Sequence, residues 1–121
     1  MKKLTSAFST TLLLTGLWFA LQETAKAATF LGEIMDSPCA AMASHDKGFA
    51  MTKTTTAKEC TLACVRMMNV KFMLYDAAKK TAYELDDQQK AQEFAGQKVT
   101  IDGTYDTNTK ILKVAKIQAS R

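Results

Sequence analysis

The chain has 121 residues, with 16 basic side chains, 12 acidic side chains, three cysteines and one histidine. This length suits one small domain built around one hydrophobic core. Its lysines are scattered and form no stripe, so the positive charge is typical of a solvated surface and we expect no nucleic-acid partner.

The first 27 residues have the organisation of a secretory signal peptide. Lys2 and Lys3 precede an apolar stretch, and the segment Ala25–Ala27 has the small residues of a cleavage site. That apolar stretch is shorter than the roughly 20 residues that a membrane span needs. We therefore expect cleavage after Ala27, a periplasmic or secreted location, and one domain over residues 28–121. The mature part has 13 basic and 11 acidic side chains, a net charge near +2.

The mature part opens with a predicted strand and a long connection. The stretch "TFLGEIM" (29–35) predicts the first strand, with Gly32 at a bend or bulge. Residues 36–55 are expected to be irregular, because they include Pro38, Gly48 and several small polar residues.

A helix is predicted after this connection. Thr56 and Glu59 have the three-residue spacing of a capping box, in which the first side chain caps the helix and the second reaches back. The pattern predicts a helix from Ala57 to Met68, with Asn69 as its stop.

Four more strands and one short helix complete the prediction. The runs "VKFMLYD" and "KTAYELD" predict a hairpin around "AAKK". Asp86 or Asp87 is a cap for a short helix that closes near Gly96. The runs "QKVTIDGTY" and "KILKVAKIQ" predict a closing hairpin around residues 106–109.

The order of these elements predicts a mainly β fold. Five strands with a helix between the third and the fourth follow the plan of an OB-fold, a small, partly open Greek-key barrel. The departure is an insertion of about 35 residues between strands one and two, which carries all three cysteines and the histidine. OB-folds commonly bind ligands near this connection, which is an analogy from fold to site.

The chain also resembles a group of small secreted bacterial proteins that have no established activity. The similarity lies in "GEIMDSPC", "KECTLACV", "KFMLYDAAKKTAYELDDQQKAQEFAGQKVTIDGTYD" and "ILKVAKI", which match the group's D-S-x-C, C-T-x-x-C-V and K-x-x-L-Y-D patterns. Many members have glycine after the first cysteine, where this chain has Ala40, and a stretch with histidine and methionine before the helix. Here Met42, His45 and Met51 represent that stretch. The resemblance implies an OB-fold-like domain.

The cysteine spacing allows two structural interpretations, of which the first is a disulfide. Cys60 and Cys64 stand at i and i+4, where the Cβ atoms of a helix are about 5–6 Å apart, whereas a disulfide needs about 3.5–4.5 Å. A bridge from Cys39 to Cys60 or Cys64 is easier. It would close a loop of about 20–25 residues, which stabilises by about 3 kcal/mol, and exported proteins favour such bridges.

The second interpretation is a metal site. Two thiolates on adjacent helical turns can converge on one ion, and Cys39 and His45 would complete a set of three cysteines and one histidine with Cys60 and Cys64, as zinc prefers. With Met42 or Met51 as a further ligand, the set would favour cuprous copper. His45 taken alone is more commonly a surface loop residue, so the two interpretations stay open.

These observations lead to three functional hypotheses. The first is an exported, non-enzymatic binding or structural domain whose cysteines and histidine form a disulfide or a site for zinc or copper. The second is a thiol-redox or redox-sensing protein that uses Cys60 and Cys64, although no C-x-x-C motif is present. The third is an interaction domain for an envelope protein, with no small ligand.

Overall fold

The structure is a computed structural model that describes residues 25–121. The predicted signal peptide, residues 1–27, therefore lies outside the described residues except for its last three positions. None of the helices within 25–121 is long and apolar enough to span a membrane.

Within residues 25–121 the fold is mainly β, with five strands in one sheet and four helices. The strands are β1 (Ala27–Asp36), β2 (Phe72–Asp76), β3 (Thr81–Leu85), β4 (Lys98–Asp106) and β5 (Ile111–Ala119). The helices are α1 (Ser37–Met42), α2 (Asp46–Thr52), α3 (Ala57–Met68) and α4 (Gln88–Glu93).

Every strand of the sheet has two neighbours, so the strand order β1-β2-β3-β5-β4 closes on itself. β1 pairs antiparallel with both β2 and β4, and the hairpins β2–β3 and β4–β5 are also antiparallel. The closing contact is a short parallel pair in which Glu84 and Leu85 of β3 face Ile111 and Leu112 of β5.

An apolar core fills the space that the closed sheet encloses. Its members are contributed by all five strands and by α4, and partly buried side chains of α3 pack against them. We call this set the barrel core: Phe30, Ile34, Phe72, Leu74, Tyr83, Leu85, Ala91, Ala95, Val99, Ile101 and Leu112. Burying each large aliphatic side chain contributes about 1.5–3 kcal/mol, so this set supplies most of the stabilisation of the sheet.

The predicted helix and the second half of the chain are confirmed. α3 spans Ala57–Met68, the Thr56 hydroxyl accepts a hydrogen bond from the N–H of Glu59 at 3.2 Å, and Asn69 ends the helix with φ of 51°. Of the two predicted caps for α4, Asp87 is the one that accepts from the N–H of Lys90. Both predicted hairpins are also present.

Of the predictions about the first half of the chain, one is wrong and one is wrong in part. Residues 36–55 are not irregular throughout, because they contain α1 and α2. The start of α1 is capped by the Asp36 carboxylate, which accepts a hydrogen bond from the N–H of Cys39 at 3.0 Å. Gly32 is not a bulge. The irregularity in pairing lies between Asp102 and Gly103, and Gly32 instead allows β1 to approach the carbonyl of Tyr75 in β2.

Candidate metal centre

The insertion between β1 and β2 has a small core of its own, separate from the barrel core. It contains Met35 from β1, Cys39 and Ala40 from α1, and Cys60 and Cys64 from α3. The three cysteines are 0–1% exposed. We call Cys39, Cys60 and Cys64 the thiol cluster.

Three elements bring these sulfurs together. α1 follows β1 without a connecting loop. The buried Asp36 carboxylate caps its first turn by accepting from the N–H of Cys39, so these two residues lie close together. Cys60 and Cys64 are one turn apart on α3, so they lie on the same buried face of that helix. The three cysteines therefore lie in one buried cluster.

α2 contributes a glycine at the point where the sulfurs meet. A Cβ atom added to Gly48 would lie 2.5 Å from the Sγ of Cys60, 2.9 Å from that of Cys39 and 3.7 Å from that of Cys64. Glycine therefore lets the α2 backbone pack directly against the sulfurs, whereas the point itself, one covalent bond from the Gly48 Cα, is too near the backbone to hold an ion. Any side chain at this position would fill that point.

His45 stands at the start of α2, and its ring is held by a carboxylate. Its Nε2 atom lies 2.8 Å from Glu33 Oε1, and its ring stacks on Phe49 with a centroid distance of 5.6 Å. A carboxylate accepts hydrogen bonds, so Glu33 places the imidazole proton on Nε2 and leaves the Nδ1 lone pair free. Among the described residues, Nδ1 is buried and has no hydrogen-bond partner.

The candidate ligand set combines four residues of three types. One side-chain donor atom from each of Asp36, Cys39, His45 and Cys60 lies within 4.8 Å of the others. Asp36 Oδ2, like His45 Nδ1, is buried with no partner within residues 25–121. A third such atom, Thr61 Oγ1, belongs to the residue after Cys60 and lies outside this set.

The surroundings of Cys39 and Cys64 favour the protonated thiol in the metal-free protein. Burial raises the pKa of Cys39, and a hydrogen bond with Asp36 and the charge of that carboxylate raise it further. Burial also raises the pKa of Cys64 to about 11, with further contributions from the charges of Asp36 and Cys60. A metal ion must therefore displace protons as it binds, which makes its affinity dependent on pH.

The residues proposed from the sequence are brought together in part. Cys39, His45 and Cys60 share one set, and Cys64 lies beside it near Gly48. The two methionines considered as soft ligands, Met42 and Met51, are 40% and 49% exposed.

Sequence reasoning missed the two carboxylates and the glycine of the site. Asp36 could be recognised only as a helix cap, which it also is. Glu33 and Gly48 act through contacts with elements distant in sequence, so no local pattern identifies them.

All three cysteines are free in the structure, so neither of the predicted bridges from Cys39 is formed. The sulfurs of Cys39 and Cys60 nevertheless lie within 4.8 Å of one another. A disulfide between them therefore stays a prediction, and it would compete with metal binding for the same two sulfurs.

Comparison with known proteins gives no relative. No protein-family model matches the chain, and neither a curated protein nor a solved structure matches it. The function must therefore be inferred from the chemistry of the site itself.

A groove of about 480 Å³ adjoins the candidate ligands. Glu33, Met35 and His45 line it together with Tyr75 and Ala77. Three other cavities on residues 25–121 are lined by none of the candidate ligands. The groove is therefore the cavity to consider in relation to the site.

Proposed function

We propose that the protein is an exported, non-enzymatic domain that binds one thiophilic metal ion, zinc or cuprous copper, in the insertion of an OB-fold-like barrel. Cys39, Cys60 and the Nδ1 atom of His45 are the ligands common to every version of the site. Asp36 or Cys64 supplies the fourth. The metal ion is the partner in this proposal, and the periplasm or the extracellular space is its location.

The OB-fold part of the proposal is supported by strand order. The closed order β1-β2-β3-β5-β4, with a parallel contact between β3 and β5 and a helix between β3 and β4, follows the plan of that fold. The insertion between β1 and β2 also places the site at the connection that OB-folds use for ligands. This second point is an analogy and carries less weight than the chemistry.

The observation that carries the proposal is a pair of unpartnered buried atoms beside the thiols. Asp36 Oδ2 and His45 Nδ1 have no hydrogen-bond partner within the described part of the chain, and both residues belong to the set whose donor atoms lie within 4.8 Å. Leaving a buried polar atom unpaired costs about 1–3 kcal/mol, so a ligand that satisfies both atoms stabilises the fold.

The contact between His45 and Glu33 supports the same conclusion. Histidines that bind metals almost always donate the other ring N–H to a carboxylate, a carbonyl or a water, which fixes the tautomer and raises ligand basicity. The distance of 2.8 Å between His45 Nε2 and Glu33 Oε1 is that of such a contact. Glu33 is therefore proposed to orient the ligand without binding the ion.

The donor set selects the class of metal. Thiolates with one imidazole suit zinc in a tetrahedral site, and soft sulfur also selects cuprous copper. Four protein ligands leave no open position on a tetrahedral ion, which is the pattern of a structural site and not of a catalytic one. This ligand count supports a binding role.

The test is a metal titration of the reduced mature protein under anaerobic conditions. Cobalt(II) serves as a spectroscopic probe for zinc, because thiolate ligation gives it intense charge-transfer absorption. We expect one ion per chain, with binding lost in Cys39→Ser and His45→Ala. Asp46→Asn changes the exposed residue next to His45 and should bind as the unsubstituted protein does. No bound ion and three thiols open to alkylation would overturn the proposal.

A thiol-redox function is the second candidate, and the proximity of the Cys39 and Cys60 sulfurs favours it. It predicts a product lighter by two hydrogens after exposure to a mild disulfide oxidant, with the oxidant reduced to two thiols. Burial of all three cysteines and the raised pKa of Cys39 slow such a reaction, since the thiolate is the reactive form. Metal binding therefore remains the leading proposal.

A further inference from the structure

The candidate ligands differ in how they reach the surface. Asp36, Cys39 and Cys60 are 0–1% exposed, and none of the three lines the groove. The His45 side chain is 11% exposed and lines the groove with Glu33, whose side chain is 26% exposed. His45 is therefore the member of the ligand set that connects the buried sulfurs to solvent.

Met35 makes a second connection between the sulfurs and the groove. It is 3% exposed and packs in the same small core as the thiol cluster, and it also lines the groove. Its thioether is a soft, uncharged donor of the kind that cuprous copper accepts, whereas zinc prefers thiolate, imidazole and carboxylate ligands.

His45 is held in a way that permits it to move. It precedes α2 as the N-cap residue, but its side chain makes no capping hydrogen bond, and Ala43 two positions earlier has φ of 54°. Its ring is held by the Glu33 contact and by stacking on Phe49. Rotation of the ring toward the groove would break the Glu33 hydrogen bond and uncover the sulfurs.

We infer that the groove is the route by which a cuprous ion enters and leaves the site, with His45 as the gate and Met35 as a transient ligand. This inference rests on the proposed metal-binding function. Two carboxylates line the groove, and both have partners: Glu33 contacts His45 at 2.8 Å and Asp76 contacts the Lys79 ammonium at 3.5 Å. Such a route would let the buried site take up and release its ion without unfolding of the insertion.

Narrowing an access route should change the rates of metal uptake and release but not the equilibrium affinity for the ion. Variants that narrow the groove therefore test the inference. Ala77 is exposed in the turn between β2 and β3 and lines the groove, so Ala77→Phe would narrow the groove without changing a ligand. Ala115→Phe is the matched control, because Ala115 is exposed on β5 and lines a different cavity. Ala78→Phe, at the neighbouring exposed groove position, repeats the test if Ala77→Phe does not fold.

The experiment measures anaerobic stopped-flow transfer of copper(I), and separately of zinc(II), from chromophoric chelators to the reduced protein. We expect Ala77→Phe to slow uptake and release of both ions about tenfold or more at unchanged affinity, as narrowing an access route should. Ala115→Phe should have the original rates. Met35→Leu, which nearly conserves volume, should slow copper(I) several-fold and leave zinc(II) unchanged.

The outcomes distinguish failure of the proposed route from failure of the proposed metal-binding function. Equal rates for Ala77→Phe and Ala115→Phe would overturn the route. Equal effects of Met35→Leu on both ions, or no effect, would overturn the role of the thioether. Failure of the unsubstituted protein to take up either ion would instead overturn the proposed function.

Discussion

The barrel core and the thiol cluster are both buried, but they differ in what their buried groups require. The barrel core consists of apolar side chains such as Ile34, Leu74 and Leu112 that satisfy one another by packing. The thiol cluster lies against a carboxylate and an imidazole that each have an unpartnered atom within the described residues. The barrel core therefore needs no ligand to satisfy its buried groups, whereas in the proposed function an ion satisfies those of the insertion.

The largest expected effect comes from a cavity in the barrel core. Leu112 is 0% exposed on β5, which does not belong to the insertion. We expect Leu112→Ala to lower the free energy of unfolding by about 2–5 kcal/mol, because it loses buried contacts and leaves a cavity. Urea unfolding of the metal-free and the metal-loaded protein measures this loss, which should be similar in both. A loss confined to the loaded form would show that the two cores are not independent.

A smaller effect is expected from a ligand of the thiol cluster. Cys60→Ser should leave the metal-free protein folded but abolish stabilisation by the ion, which reaches about 4 kcal/mol when free ion is 1,000 times its dissociation constant. The measurement is urea unfolding with and without zinc. Met67→Ser on the same helix is the control, since Met67 is 64% exposed and should keep the full effect of zinc. Equal stabilisation of Cys60→Ser and Met67→Ser would place the ion elsewhere.

Gly48→Ala tests the space beside the sulfurs while keeping every ligand. At an unobstructed helical position this change stabilises by about 0.5–1 kcal/mol. Here the added carbon lies 2.5 Å from the Cys60 sulfur, so we expect weaker metal binding and no gain in stability. The control is Ala50→Gly, at an exposed position of the same helix, which should lower stability but bind metal normally. Normal affinity in Gly48→Ala would show that metal binding does not depend on the close approach of α2 to the sulfurs.

The last expected effect is a pH dependence of the metal-free protein. The pKa of Cys64 is raised from 9.0 to about 11 in the fold, so the unfolded chain loses this proton first as pH rises. The resulting contribution to stability is fully present below pH 9.0 and is lost as pH rises toward about 11. Urea midpoints between pH 8 and pH 11 measure it. The urea midpoint of Cys64→Ala should fall less steeply with pH than that of the unsubstituted protein. Equal slopes would contradict the assignment of this pH dependence to Cys64.

Local sequence patterns could predict the barrel better than the insertion. The capping box at Thr56 and Glu59 identifies α3, and the alternating runs identify both hairpins, because each signal lies within a few neighbouring residues. α1 and α2 have six and seven residues, too few to show a helical period. They were therefore missed, although Asp36 caps the first of them.

The residue types of the candidate site could be predicted from the sequence, but their spatial arrangement could not. Three cysteines and one histidine in one insertion identify the donors, and cysteine chemistry identifies the alternatives of metal and disulfide. Glu33 could not be found this way, because its role arises from the approach of α2 to β1. Gly48 is informative only once α1 and α3 bring their sulfurs to it.

The most direct test of the central claim is X-ray absorption spectroscopy of the zinc-loaded, reduced protein, which reports the atoms bonded to the ion. We expect a shell of two or three sulfur atoms at about 2.3 Å from the zinc ion and one or two nitrogen or oxygen atoms at about 2.0–2.2 Å. The same spectrum should contain the scattering from one imidazole ring, that of His45. A shell of oxygen and nitrogen alone, with no sulfur, would place the ion on the surface and contradict the assignment of Cys39, His45 and Cys60 as ligands.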